Sequence, residues 1–111
     1  MSTQKIKIVD SCRRMVATAE VTARGEYYSG LADLSAMPVQ FRRKFEEYEE
    51  IVNGQMFGLL DEIEDQIHNL PLRVVFENEA EAEVEDLQMY PATGRVSFKV
   101  AKLVPQDATR A

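Results

Sequence analysis

The chain has 111 residues, a formal net charge of −6 and an apolar share of 45%. These values are typical of one globular domain and exclude a disordered or fibrous protein. The one cysteine, Cys12, rules out an internal disulfide, and no apolar run approaches the roughly 20 residues of a membrane span. We therefore expect a single cytoplasmic domain over 1–111, with flexible tails at 1–4 and 105–111 and no membrane association.

Charge is unevenly distributed along the chain. Residues 1–45 carry eight Lys and Arg against four acids, residues 46–86 carry one Arg against fourteen acids, and residues 87–111 carry four basic residues against one acid. The opposite charges of these segments are neutralised either within the fold, by basic strands beside acidic ones, or between subunits. It argues against nucleic acid as a partner, because a nucleic-acid-binding protein needs a basic face to displace counterions.

The first part of the chain favours extended structure. The segment 5–18 fits a short helix and a strand equally well, because its apolar residues satisfy both periods. The segment 15–34 is rich in β-branched residues and tyrosines on both sides of Arg24 and Gly25. That composition predicts a hairpin that turns at these two residues.

The clearest predicted element is a long amphipathic helix in the middle of the chain. Its apolar stripe recurs with a period of about 3.6 residues, as in a straight α-helix. The stripe consists of Phe41, Phe45, Tyr48, Val52, Met56, Leu59, Ile63, Ile67 and Leu70. Ser35 is a candidate N-cap, and Pro71 ends the element. The pair Asn53 and Gly54 often ends a helix, but the stripe keeps its phase across it, so we expect one continuous, bent helix.

The second half of this helix is apolar beyond its main stripe. Phe57 and Leu60 lie beside the stripe residue Met56 and widen the apolar face. A single sheet does not easily cover a face of this width. Met56, Phe57 and Leu60 are therefore predicted to form a homodimer interface.

The segment 72–104 predicts three strands, with turns near Asn78 and at 91–94. The predicted fold class is α+β. An antiparallel sheet of four to five strands, from the N-terminal hairpin and a C-terminal three-stranded meander, packs on one long central helix.

Glutamates occupy every second position of one predicted strand. The row consists of Glu77, Glu79, Glu81, Glu83 and Glu85. In an extended strand they share one face. This face is either solvated and neutralised by basic neighbours such as Arg73 and Lys99, or it binds a basic partner protein through Glu79, Glu81, Glu83 and Glu85.

The sequence repeats Asp-Leu-x-x-x-Pro at 33–38 and 86–91. In both copies the alternation of apolar residues slips at the aspartate. This slip predicts a bulge or a strand end, where the carboxylate accepts backbone N–H groups. The structural interpretation is favoured over a pair of ligand-binding corners.

Metal binding and nucleophilic catalysis have little support. Asp65 and His68 are spaced like half of a helix-bundle metal site, but a symmetry mate would have to supply the other ligands. Cys12 and His68 are the only thiol and the only imidazole. No signature surrounds Cys12, so we expect it to be a small core residue. No catalytic residue, metal ligand or cofactor is predicted.

These observations favour a small non-enzymatic interaction or regulatory module that acts as a homodimer. One alternative is an acidic inhibitor or immunity-type protein that binds a basic partner. Another is an enzyme or metal-binding protein whose site is shared across a dimer. The sequence does not indicate the biological process.

Overall fold

The computed structural model of the protein describes residues 3–104. The elements are β1 (Thr3–Val9), β2 (Met15–Arg24), β3 (Tyr27–Asp33), α1 (Val39–Asn53), α2 (Leu60–His68), β4 (Arg73–Val75), β5 (Glu81–Tyr90) and β6 (Arg95–Val104), with one short 3-10 helix, Phe57–Leu59, before α2. The strands form a closed antiparallel barrel in the order β1-β2-β3-β6-β5-β4. Over the described residues, neither helix has the length and apolar character needed to cross a membrane.

The predicted sheet on one helix is wrong, because the sheet closes on itself. β1 pairs with both β2 and β4, and β3 pairs with β6. The ambiguous segment 5–18 supplies this closing strand: Ile6 and Ile8 are buried, whereas Lys5 and Lys7 are exposed. β4 closes the described sheet by pairing three of its residues with β1 and three with β5.

The predicted hairpin and meander are present as parts of the barrel. β2 and β3 form the hairpin, and Gly25 in their turn has a left-handed φ of 63°. β4, β5 and β6 pair consecutively as the meander. β1 begins at Thr3, within the expected tail 1–4. The other expected tail, 105–111, lies outside the described residues.

The backbones of β2 and β3 approach closely at Gly30. This residue pairs with Val21, and a Cβ built on Gly30 would lie 1.8 Å from the backbone oxygen of Glu20. Any side chain at this position would push the two strands apart. Glycine is therefore required here by packing.

The prediction of one long helix is also wrong. α1 ends at Asn53, and Gln55 adopts a left-handed φ of 57°. The amide of Met56 donates to the carbonyl of Ile51 at 3.0 Å. The amide of Gln55 donates to the carbonyl of Val52 at 3.1 Å. This pair of bonds is a Schellman motif, and it turns the chain away from the axis of α1.

The apolar stripe is buried at its two ends, on α1 and on α2, whereas Met56 and Leu59 in its middle are exposed. The buried helix residues are Phe41, Phe45, Tyr48, Ile51, Ile63 and Ile67. Lys44 Nζ in α1 donates to Gln66 Oε1 in α2 at 2.5 Å, which is consistent with two helices side by side in an antiparallel hairpin. The periodicity therefore reflects a shared core rather than one continuous helix.

The two Asp-Leu-x-x-x-Pro copies end or bend strands, as predicted, but in the described residues only the Asp33 carboxylate accepts a backbone N–H. Asp33 ends β3, and its Oδ1 accepts the amide and the hydroxyl of Ser35 at 3.0 and 2.7 Å. Ser35 is therefore not the N-cap of α1, which begins after Pro38. Asp86 has a φ of 54° and lies where β5 shifts its register against β6, so it forms a bulge.

Candidate functional site

A groove with a volume of about 730 Å³ lies beside α2. Its walls come from α2 and the connection to β4, from β5, and from the β1–β2 connection. Six lining residues are acidic and two, Arg13 and Arg73, are arginines. The acids are Asp10, Glu64, Asp65, Glu81, Glu83 and Asp86. This feature is named the acidic groove.

One end of the acidic groove is built around Glu81, the first residue of β5. Its side chain is buried, and Arg13 Nη1 donates to Oε1 at 2.9 Å. Arg73 Nη1 donates to Oε2 at 3.3 Å, and Arg73 Nη2 lies 3.6 Å from Glu83 Oε2. Burial raises the pKa of the Glu81 carboxyl, but the two arginines outweigh it and hold that pKa below its ordinary value. Glu81 therefore links the β1–β2 connection to β4.

Asp10 shapes the β1–β2 connection that carries Arg13. The Asp10 carboxylate is buried and accepts the amides of Cys12 and Arg14, each at 2.9 Å. Arg14 Nε also donates to it at 3.0 Å. The hydrogen bond from the Arg14 amide contributes most to lowering the pKa of Asp10, against the opposing effect of burial. Within this tight turn Arg13 has a left-handed φ of 64°.

The α2 wall of the groove carries the residues that suggested half of a metal site. Glu64, Asp65 and His68 are exposed, whereas Ile63 and Ile67 on the other face of α2 are buried. Among residues 3–104, no lysine or arginine forms an ion pair with Glu64 or Asp65. This wall therefore presents negative charge that the described part of the chain does not neutralise.

Aromatic side chains also contribute to the groove. Tyr48 lines it, and its ring centroid lies 5.9 Å from that of Tyr90. Burial raises the pKa of the Tyr48 phenol, and the adjacent Tyr90 raises it further. The carboxylates of Glu64 and Asp86 act in the same direction. Tyr48 is therefore a protonated hydroxyl at neutral pH and not a base.

The β5 bulge places Asp86 in the groove wall. Asp86 Oδ2 accepts the Tyr27 hydroxyl of β3 at 3.0 Å. This hydrogen bond raises the pKa of Tyr27. The second Asp-Leu-x-x-x-Pro copy therefore has a structural cause, and its aspartate also adds negative charge to the groove.

The predicted row of glutamates is not a continuous face. Glu81 is buried, whereas Glu83 and Glu85 are exposed. Glu79 lies in the turn between β4 and β5 with a φ of 69°. The turn near Asn78 thus separates Glu79 from the strand. Of the four predicted partner-binding residues, Glu81 and Glu83 line the acidic groove.

β5 lies between two strands that carry basic residues. Glu83 is opposite Arg73 in β4 and Lys102 in β6. Glu85 is opposite Lys99 in β6. Cross-strand pairs of opposite charge stabilise a sheet. Part of the charge segregation of the sequence is therefore neutralised inside the barrel.

The predicted dimer residues lie at the turn of the helical hairpin. Met56 is 46% exposed, Phe57 is 59% exposed, and Leu60 packs partly against the core. Leu59 is also exposed, at 52%. The described chain therefore has no continuous helix that presents the predicted wide apolar face. The exposed group Met56, Phe57 and Leu59 is named the hairpin tip.

The prediction that Cys12 lies in the core is wrong, because its side chain is exposed in the β1–β2 connection. His68 is exposed at the end of α2, and no hydrogen bond between the two side chains is present in the described structure. Across residues 3–104, no three or more His, Cys, Asp and Glu side chains are grouped to hold a metal ion.

Sequence reasoning missed the acidic groove because its walls are distant along the chain. The Arg13–Glu81 pair spans 68 positions. The acidic strand and the α2 carboxylates were visible, but their common cavity depends on barrel closure. Asp10 also gave a usable signal, because an aspartate that follows an alternating strand often accepts nearby amides in a turn.

Comparison with known proteins gave no match: no protein-family model matches the chain, and searches of the curated proteins and the solved structures found no significant similarity.

Proposed function

We propose that the protein is a non-enzymatic binding module whose acidic groove takes a basic segment of a partner protein. The observation that carries the proposal is the unneutralised charge of the groove. Of its six acids, Asp10 pairs with Arg14, Glu81 pairs with Arg13 and Arg73, and Glu83 lies beside Arg73. Glu64 and Asp65 have no cationic partner among residues 3–104.

The chemistry of the lining suits lysine and arginine side chains. Carboxylates on two walls attract the cationic head groups, and electrostatic steering speeds their encounter. Leu70, which is partly exposed, and Pro71, which is exposed, supply apolar surface to the same groove. The hydrocarbon stems of lysine and arginine pack on such surface while their charged ends reach the carboxylates.

The test is the affinity of the full chain for a fluorescently labelled peptide of alternating lysine and alanine, measured by anisotropy. The double variant Glu64→Gln with Asp65→Asn removes the unneutralised charge of the α2 wall. We expect it to weaken binding about tenfold, because close charge pairs across an interface couple strongly. The control, Glu47→Gln with Glu50→Gln, removes the same charge from exposed positions on α1 outside the groove.

Equal losses in the two double variants would show that net charge alone attracts the peptide. Lack of binding by the wild-type chain, even at low salt, would overturn the proposal. If the partner is an enzyme or toxin whose basic site the groove covers, the module is an inhibitor, and inhibition by the purified chain tests that version.

A cytoplasmic location belongs to this proposal, because the exposed Cys12 thiol suits a reducing compartment. Cell fractionation tests it.

Self-association through the hairpin tip is a second proposal. The exposure of Met56, Phe57 and Leu59 favours it, because adjacent exposed apolar side chains mark interaction surfaces. A dimer formed in this way leaves the acidic groove open, since none of the three residues lines it.

A further inference from the structure

Arg13 places a guanidinium of the chain itself in the acidic groove. Its Nη1 lies 2.9 Å from Oε1 of Glu81, and the two side chains are 70% and 9% exposed. A nearly buried carboxylate oxygen on the groove wall is thus satisfied by a side chain that lies mostly in solvent. Such a contact is open to exchange with another cation.

The two arginines that contact Glu81 are held differently. Arg73 belongs to β4, is 43% exposed at its side chain, and contacts both Glu81 and Glu83. Arg13 comes from a connection with a left-handed φ of 64°, and Glu81 is its one ion-pair partner within residues 3–104. Arg73 is therefore anchored by a strand and a second carboxylate, whereas the Arg13 side chain is 70% exposed and is held at Glu81 by a single contact.

We infer that Arg13 is an internal competitor for the bound segment: an arginine of the partner displaces it from Oε1 of Glu81. This inference rests on the proposed function, since it concerns the same groove. The exchange replaces one guanidinium with another, so the buried carboxylate keeps two cationic partners in the complex. The displaced Arg13 side chain then extends into solvent.

The contact specifies arginine rather than any cation. A guanidinium nitrogen of Arg13 already binds Oε1 at 2.9 Å, so the position accepts a planar N–H donor. Arg73 donates to the other oxygen, so the Arg13 contact is monodentate. Arginine is favoured over lysine because a guanidinium is less strongly hydrated than an ammonium and loses less hydration at a nearly buried oxygen. The partner segment is therefore basic and contains at least one arginine that reaches Glu81.

The experiment titrates labelled hexa-arginine and hexa-lysine peptides into the full chain. We expect Arg13→Gln to bind hexa-arginine about tenfold more tightly than the wild type, because it removes the competitor. The gain for hexa-lysine is expected to be less than about threefold, because a lysine ammonium does not match Glu81 as arginine does. The control Arg24→Gln removes the same charge from an exposed position outside the groove, and we expect a change of less than about twofold.

A Glu81→Gln background separates competition from general charge attraction. In that background the gain from Arg13→Gln is expected to vanish, because the contested carboxylate is gone. Equal gains in both backgrounds, equal gains for the two peptides, or no gain in Arg13→Gln while the wild type binds would each overturn the inference. Lack of binding by every variant would overturn the proposed function and this inference with it.

A measurement on the unsubstituted chain covers the case in which the Glu81 variant does not fold. The Nε–Hε NMR signal of Arg13 is expected to move toward the position of an exposed arginine when hexa-arginine binds. An unchanged Arg13 signal in the presence of bound peptide would overturn the inference while leaving the proposed function standing.

Discussion

At the scale of single residues, the Asp10 carboxylate organises its surroundings through three hydrogen bonds. These bonds lower its pKa from the ordinary value of 3.8. A lowered pKa in the folded chain means that the unfolded chain binds protons more readily, so stability rises with pH through this range. The contribution of Asp10 to the free energy of unfolding is therefore present above about pH 4 and is lost as the pH falls through the folded pKa.

We expect Asp10→Asn to lower the free energy of unfolding at neutral pH and to flatten its decline below about pH 4. Urea denaturation at a series of pH values measures both effects. Glu47→Gln, at an exposed position on α1, is the control. A pH profile of Asp10→Asn that runs parallel to that of the wild type would contradict the assigned role of the carboxylate.

Gly30 gives a second prediction at this scale. Gly30→Ala is expected to lower the free energy of unfolding by about 3 kcal/mol or more, because its Cβ would collide with the β2 backbone. Gly58→Ala is the matched control, since a Cβ at Gly58 has nothing within 4 Å. We expect it to stay within about 0.5 kcal/mol of the wild type. A Gly30→Ala protein of wild-type stability would contradict the β2–β3 register.

At the scale of elements, the sequence predicted five of the six strands and both halves of the helical segment. It failed at Asn53, where the stop signal competed with an unbroken apolar stripe. Periodicity reports which side of a helix is buried, but two helices packed on one core produce the same stripe as one helix. The left-handed residue that ends α1 is Gln55, not the more suggestive Gly54, and no propensity rule favours glutamine there.

Gln55→Gly distinguishes the two arrangements by the sign of its effect. If α1 ends at the left-handed Gln55, the change to glycine is expected to raise the free energy of unfolding by about 0.5–1 kcal/mol. In a continuous helix the same change would lower it by about 1 kcal/mol. Gln55→Ala is the control, because alanine meets the same backbone strain and should give no gain. Thermal denaturation of the three proteins measures the difference.

At the scale of the whole molecule, closure of the barrel determined what the sequence could not predict. β1 joins β4 through three residue pairs, and this short pairing brings the connection at Asp10 beside β5. Local patterns contain no information about which distant strands pair, so the groove, which needs that pairing, was not predictable. Some residues singled out in the sequence do line the groove: Glu81 and Glu83, predicted to bind a basic partner, and Asp65 and His68, considered as metal ligands.

Self-association belongs to the same scale. If the hairpin tip forms a dimer, light scattering at micromolar concentration gives the mass of two chains, and Phe57→Ser reduces it to one. Leu103→Ser is the control, because Leu103 is similarly exposed, at 61% against 59% for Phe57, but lies on β6. A mass of one chain at every concentration would contradict the dimer and leave the groove proposal unaffected.

The most direct test of the central claim is an NMR titration of the isotopically labelled chain with the lysine–alanine peptide. The account predicts that backbone amide signals shift most at the groove walls, at Glu64, Asp65, Glu81 and Glu83. Largest shifts on the outer faces of β1 and β2, at residues such as Lys5 and Glu20, or shifts spread evenly over the acidic surface, would contradict a binding site in the acidic groove.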